Sequence, residues 1–192
     1  MIPTTAERLY TFAEYLVYDD GTDNRYELVE GKLTQMNPPT VKHLLIAKFI
    51  ERVLDAEINR LGLPWLCLRE AGVRTGYKKS RLMDVCVVPA ELAMESRDHS
   101  AVFQLPPLLA VEIVSPESIK RDYRYKRSEY AALEIPEYWI ADPIESKISV
   151  LILEEGLYEE TVFTGTQQIV SQIFPELSLK VEPVLKYGNI GE

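Results

Sequence analysis

Hydrophobic positions along this chain follow two periods in succession. Over about 40–61, Ile46, Ile50, Val53, Leu54, Ile58 and Leu61 recur at the spacing of one helix face, and Gly62 stands where such a helix would stop. Runs near 65–75, 82–88 and 108–114 then read as strands. The last two are almost continuously apolar, as strands buried on both faces are. Ahead of the long helix, Thr11 with Glu14 resembles a capping box opening a short helix. RYELVEGKLTQM reads as a hairpin turning at Glu30 and Gly31, before Pro38 and Pro39 break the pattern. The stretch 89–107 predicts an irregular loop with a short helical turn, and Pro116 ends the third strand. A helix over about 119–133 leads into the strand EYWIAD, and that strand, helix, strand order implies a parallel pair within a mixed sheet. KISVLILEEGLYEETVFTG is a further hairpin, and ELSLKVEPVL is a closing apolar segment. The pattern predicts an α+β fold: a central mixed β-sheet flanked by α-helices, with β-hairpins at both ends.

The length of 192 residues suits one domain, 1–192, with a sizeable core. No apolar run approaches the roughly 20 residues that span a bilayer, so no membrane association is expected. The opening MIPTTAERLY has neither the basic nor the apolar region of a secretory signal, which makes the cytoplasm the expected compartment. Cys67 and Cys86 sit among apolar neighbours without metal-site spacing and read as buried free thiols. A net charge of −9 argues against passive, charge-driven binding to nucleic acid. The distribution changes that picture. Arg69, Arg74, Lys78, Lys79 and Arg81 gather before one strand, while Lys120, Arg121, Arg124, Lys126 and Arg127 gather after another, and the acids concentrate around 154–160. Each cluster is either a solvated face or a path for a phosphate backbone.

Both clusters flank an acid set in an apolar strand: Asp84 in RLMDVCVV and Glu112 in LLAVEIVS. A buried carboxylate costs several kcal/mol unless it is compensated. Residues two apart share a strand face, so Glu112 lies with Ala110 and Val114. With Asp84 on the neighbouring strand, two hard oxygen donors would converge on one point, the preference of Mg²⁺. Lys126, on the following helix with Tyr123 and Tyr130 at i−3 and i+4, could orient a water and offset phosphoryl charge. The competing account pairs Lys126 with Asp122 on a wet surface. A third reading makes the acids a structural ion-pair network with specific basic partners.

These segments carry a resemblance. RYELVEGKL, a helix with His43 near its start, MDVCVV, LAVEIVSPES, and D-x-x-x-K-x-x-x-Y running into IPEYWIADP resemble the Uma family, long catalogued as a domain of unknown function and grouped with endonucleases of the PD-(D/E)XK, restriction-endonuclease-like superfamily. The resemblance spans about 25–143. It implies a restriction-endonuclease-like fold and a metal-dependent endonuclease, with Asp84 and Glu112 as ligands of Mg²⁺ or Mn²⁺. Met83 stands where the superfamily has proline, and Val114 stands where it has the lysine of E-x-K. In the family that lysine comes from the next helix, a position Lys126 matches. Glu27 is similar to the family's hairpin glutamate, with a structural salt bridge as its alternative role. His43 could serve as a base or phosphate contact, or simply as a capping or packing residue. Tyr130, Tyr138 and Trp139 read as core. Lys78, Lys79, Arg81, Lys120, Arg121, Arg124 and Arg127 are the expected contacts to nucleic acid, DNA in the first place. A homodimer is expected by analogy, because cutting both strands of a duplex needs two sites. The rival is a module that kept the fold, lost turnover, and binds nucleic acid or a protein partner.

Overall fold

The computed structural model describes residues 8–189. Most of the opening segment read for a secretory signal, residues 1–7, lies outside that range. No helix among the described residues is long and apolar enough to cross a membrane.

The chain begins with α1 (Phe12–Leu16), opened by the Thr11 and Glu14 capping box. It continues into a hairpin of β1 (Tyr26–Val29) and β2 (Lys32–Gln35). Glu30 and Gly31, at φ 51° and 83°, make the tight turn between them, a conformation whose sense of twist matches that of the strands. The long helix is α2 (Val41–Leu61): the Thr40 hydroxyl accepts the His43 N–H, and Gly62 closes the helix at φ 63°. Its Ile46, Ile50, Leu54 and Ile58 are buried.

The next two segments differ from the sequence expectation. The run near 65–75 is two strands, β3 (Trp65–Arg69) and β4 (Gly72–Gly76), parted at Glu70, whose φ is 61°. The run near 82–88 is likewise parted: β5 (Lys79–Leu82) ends before Met83, and β6 (Val85–Pro89) starts after Asp84. In both places the chain passes from one sheet to another. The crossings lie side by side, with the Met83 N–H on the Ala71 carbonyl (2.9 Å) and the Glu70 N–H on that of Asp84 (3.3 Å). The breaks were hidden because Ala71 and Met83, at the crossings themselves, are as buried and apolar as strand residues.

After α3 (Ala90–Glu95) and the short β7 (Val102–Phe103) comes β8 (Leu109–Ile113). A π-helical turn (Arg121–Lys126) runs directly into α4 (Arg127–Ala132), and the crossover ends in β9 (Glu137–Asp142). β10 (Lys147–Glu154) and β11 (Leu157–Thr164) form the second hairpin, and α5 (Val181–Lys186) ends the closing segment.

The larger sheet has the order β11-β10-β9-β8-β6-β3, with β8 and β9 parallel as the crossover requires. The smaller has the order β2-β1-β5-β4-β7. Val85, Val87, Val111, Ile113 and Trp139 face α2 and the closing segment, whereas Cys86, Ala110, Val114, Tyr138 and Ile140 face the layer holding α4 and the smaller sheet. The architecture is the expected mixed α+β fold, with two sheets instead of one central sheet. Cys67 and Cys86 are buried free thiols.

Glu137 is a fully buried acid in β9 that is held by neutral donors: Trp139 Nε1, Ser171 Oγ and the N–H groups of Gln172 and Ile173. It fastens the closing segment to the sheet. Replacing Glu137 by alanine strands these buried donors at about 1–3 kcal/mol each. Urea unfolding of Glu137→Ala is expected to show a loss of more than about 3 kcal/mol on that basis, with Leu157→Ala, at an exposed site, as the near-neutral control.

Candidate active site

Antiparallel pairing sets Val85 opposite Val111 and Cys86 opposite Ala110, and that register continued by one residue brings Asp84 across from Glu112. Asp84 stands at the break where the chain enters the larger sheet. Its Oδ2 accepts the Ile113 N–H at 2.7 Å, and its Oδ1 lies 3.0 Å from His43 Nε2 on the first turn of α2.

Glu112 points with Ala110 and Val114 into the layer beneath α4. Both of its oxygens are engaged: Lys126 Nζ donates to Oε2 at 2.7 Å, and the Tyr130 hydroxyl donates to Oε1 at 2.7 Å. Lys126 also donates to the Leu82 carbonyl at 2.7 Å and stands 3.5 Å from Glu27 Oε1. It is 1 % exposed, so it does not lie on a wet surface. Val114, at the E-x-K position, is packed in the core, and the ammonium reaches Glu112 from the helix instead.

Glu27 continues the alternation of charge. It accepts from Arg81 Nη1 at 2.8 Å and from the Leu82 N–H at 3.1 Å, and Arg81 makes a two-pronged contact with Glu129 at 2.8 and 2.7 Å. Arg25 instead pairs with Glu70. The line Glu112, Lys126, Glu27, Arg81, Glu129 ties the larger sheet to the smaller through buried ion pairs.

The environment drives the two strand carboxylates in opposite directions. Burial, joined by the charges of Asp84 and Asp122 and only partly offset by Lys126, pushes Glu112 well above the usual carboxylate range. Burial works against ionisation of Asp84 too. There, however, the hydrogen bond and charge of His43, the charge of Lys126 and the Ile113 N–H prevail and hold it below its ordinary value. For Lys126 burial disfavours the charge, but Glu112, Glu27, Asp122 and Asp84 outweigh it and raise the pKa. The lysine therefore keeps its proton beside Glu112. Separation of two neighbouring acids in this way is how acid and base roles become distinct.

These groups open onto a cavity of about 640 Å³. His43, Asp84, Glu112, Lys126, Arg121 and Asp122 line it, together with Arg25, Lys42 and Arg69. Counting all lining side chains, six Asp and Glu face five Lys and Arg, so the cavity is not a cationic trough. Among the described residues no three His, Cys, Asp or Glu side chains form a group that could hold a metal ion.

Of the expected nucleic-acid contacts, Arg121 alone lines this cavity. Arg81 is buried in the ion-pair line. Lys79 pairs with Glu30, and the Lys78 carbonyl accepts from Gly31 in the hairpin turn. Lys120 lies over the Tyr125 ring, Arg127 binds Glu160 and the Tyr158 carbonyl, and Arg124 is exposed outside the cavity. Lys42, Arg25 and the paired Arg69 hold the lining positions instead.

Two groups near Glu112 escaped the sequence reading in their present roles. Tyr130 belongs to the core yet caps Glu112. Asp122 is 1 % exposed; its Oδ2 takes the Ser118 hydroxyl, while its Oδ1 has no hydrogen-bond partner and lies 3.6 Å from Arg121 Nε, itself unbonded. The signal was the four-residue spacing of D-x-x-x-K-x-x-x-Y, which brings all three toward Glu112. Tyr123, placed with Lys126 and Tyr130 by α-helical spacing, bonds Asp142 instead, because the π-helical turn changes the register.

The family model for Uma2, described as "Putative restriction endonuclease", matches residues 12–182. No curated protein matches the sequence. Among solved structures, the chain is similar to a "putative nuclease belonging to DUF820" from Anabaena variabilis ATCC 29413, with 21 % identity, a TM-score of 0.77, and 93 % of this chain and 98 % of that one covered. It also aligns with the type IIG restriction endonuclease BpuSI at 13 % identity and a TM-score of 0.41, over 80 % of this chain and 17 % of that one. The fold is shared with the Anabaena protein, and by its match over most of its length this chain belongs to the Uma2 family.

Proposed function

We propose that this protein is a Mg²⁺-dependent endonuclease, with Mn²⁺ as an alternative ion, that hydrolyses phosphodiester bonds in DNA. The observation that carries the reading is the buried Glu112 and Lys126 pair at 2.7 Å beside Asp84, at the wall of a cavity. The donor set fits the ion. Mg²⁺ takes one or two carboxylates and keeps several waters, so it needs no third protein ligand. Asp122, buried in the same wall with an Oδ1 that accepts no hydrogen bond, adds negative charge beside the two ligands.

In this reading Asp84 and Glu112 hold the ion, which supplies a polarised phosphoryl oxygen and an acidified water. Lys126 faces the phosphoryl group and offsets charge as it grows in the transition state. His43, donating from Nε2 to Asp84 Oδ1, keeps that carboxylate turned into the cavity. Glu27 holds Lys126 in position from the second sheet. Arg121, Lys42, Arg25 and Arg69 receive the phosphate backbone. Because acids outnumber cations in the wall, backbone binding and ion binding support each other. The family's description as restriction endonucleases supports DNA as the substrate. A cytoplasmic homodimer suits a duplex substrate. The second reading, a binding module without turnover, is favoured by the engagement of both Glu112 oxygens within the protein.

Supercoiled plasmid, single-stranded DNA and RNA incubated with Mg²⁺ or Mn²⁺ decide between the two. Wild-type protein is expected to nick DNA, and Asp84→Asn, Glu112→Gln and Lys126→Ala each to lose about 10²–10³-fold in rate. Nicking that survives in the Asp84 and Glu112 variants overturns the assignment, and metal binding without nicking selects the binding module. Anisotropy titrations with labelled DNA test the contact surface. Arg121→Ala and Lys42→Ala are expected to weaken binding and each to lower the salt slope by about one, whereas Lys120→Ala and Arg127→Ala leave binding unchanged.

A further inference from the structure

Lys126 occupies the place where an incoming cation would have to bind. Its Nζ covers Glu112 Oε2, and Tyr130 covers Oε1, so the carboxylate is fully engaged within the protein. An ion at Glu112 therefore competes with an ammonium already there. Withdrawn from Glu112, that ammonium remains in a dry wall and needs an acceptor.

Three other carboxylates act on it, of which Asp84 is held by His43 and the Ile113 N–H and is itself the other ligand of the ion. Glu27 already receives Arg81 and the Leu82 N–H. Asp122 stands one turn earlier on the same helix, is 1 % exposed, and lines the same cavity. Its Oδ2 is occupied by Ser118, and its Oδ1 carries no hydrogen bond. Arg121 Nε, at 3.6 Å, completes none. This acceptor stands four residues before Lys126 in the wall of the same cavity, and its charge already acts on the lysine. We infer that Asp122 is a positioning residue: it receives the Lys126 ammonium when a divalent cation takes Glu112, so that the lysine moves between two carboxylates as the ion enters. The inference rests on the reading of the cavity as a divalent-cation site, and it adds a cost and a direction to ion entry.

Calorimetric titration of the full chain with Mn²⁺ tests it, using wild type, Asp122→Asn, Lys126→Met and the double variant. Asp122→Asn is expected to weaken Mn²⁺ binding roughly 10–100-fold, the usual loss when a group supporting a metal ligand is removed. Lys126→Met is expected to bind Mn²⁺ more tightly than wild type, since nothing competes for Glu112. In the Lys126→Met background the Asp122 substitution is expected to lose most of its effect. An unchanged affinity in Asp122→Asn, or an equal loss in both backgrounds, overturns the inference; the second result makes Asp122 a direct ligand. A wild type that binds no Mn²⁺ overturns the cation site itself, and so separates that failure from failure of the lysine movement. A crystal structure of the wild type with Mn²⁺ gives a readout that needs no variant to fold. Lys126 Nζ within hydrogen-bond distance of Asp122 supports the inference, and Nζ still on Glu112 or moved to Glu27 overturns it.

Discussion

A carboxylate in the dry interior of a sheet either finds a cation or gives up its charge, and Glu112 meets that constraint with Lys126 at 2.7 Å. Much of the architecture serves that contact. The crossover helix begins with a π-helical turn that carries Lys126 to its depth. The smaller sheet sends Glu27 and the Leu82 carbonyl to the other side of the ammonium. Arg81 then neutralises Glu27, and Glu129 neutralises Arg81. Remove either end and the next charge in line is left unmatched. The pairs contribute less to net stability than to fixing how the two sheets meet, because the cost of drying each ion offsets much of its attraction.

Sequence periodicity exposed the elements whose rules are local. The caps of α2, the paired Glu and Gly turns of both hairpins, and the strand, helix, strand crossover are each written in a few adjacent residues. Periodicity did not reveal that two runs read as single strands change sheets in mid-course. Met83 is 1 % exposed and Ala71 is 2 % exposed. Buried residues at a crossing keep the same apolar signature as a strand, and beside them only the exposed, left-handed Glu70 breaks the local pattern.

The site was legible to a similar depth. Asp84 and Glu112 stood out because a charge amid apolar neighbours is costly, and Lys126 because of its place on the following helix; the structure brings the three together. The same argument could not tell Glu112 from Glu137, which is also buried in a strand but is satisfied by neutral donors from a distant segment. Nor could it tell that Arg81 is an interior counter-charge while Arg121 lines the cavity. Both are basic residues beside suspicious acids, and the difference lies in which face the strand or helical turn presents. Asp122 was visible only as a surface partner for Lys126, since i, i+4 spacing says that two groups are near each other and not that both are buried.

The breaks at Glu70 and Met83 have a consequence for when the cavity comes into being. Its wall takes residues from the segment before β1, α2, the β5 to β6 crossing, β8 and the turn before α4, so it draws on segments roughly a hundred residues apart. Closing contacts of such long separation is slow and comes late along a folding route. A nascent chain that has made its local helices and hairpins still lacks the crossing that presents Asp84. Whatever reaction the cavity performs, the unfinished chain cannot perform it, and maturation of the fold is itself the switch that turns the chemistry on.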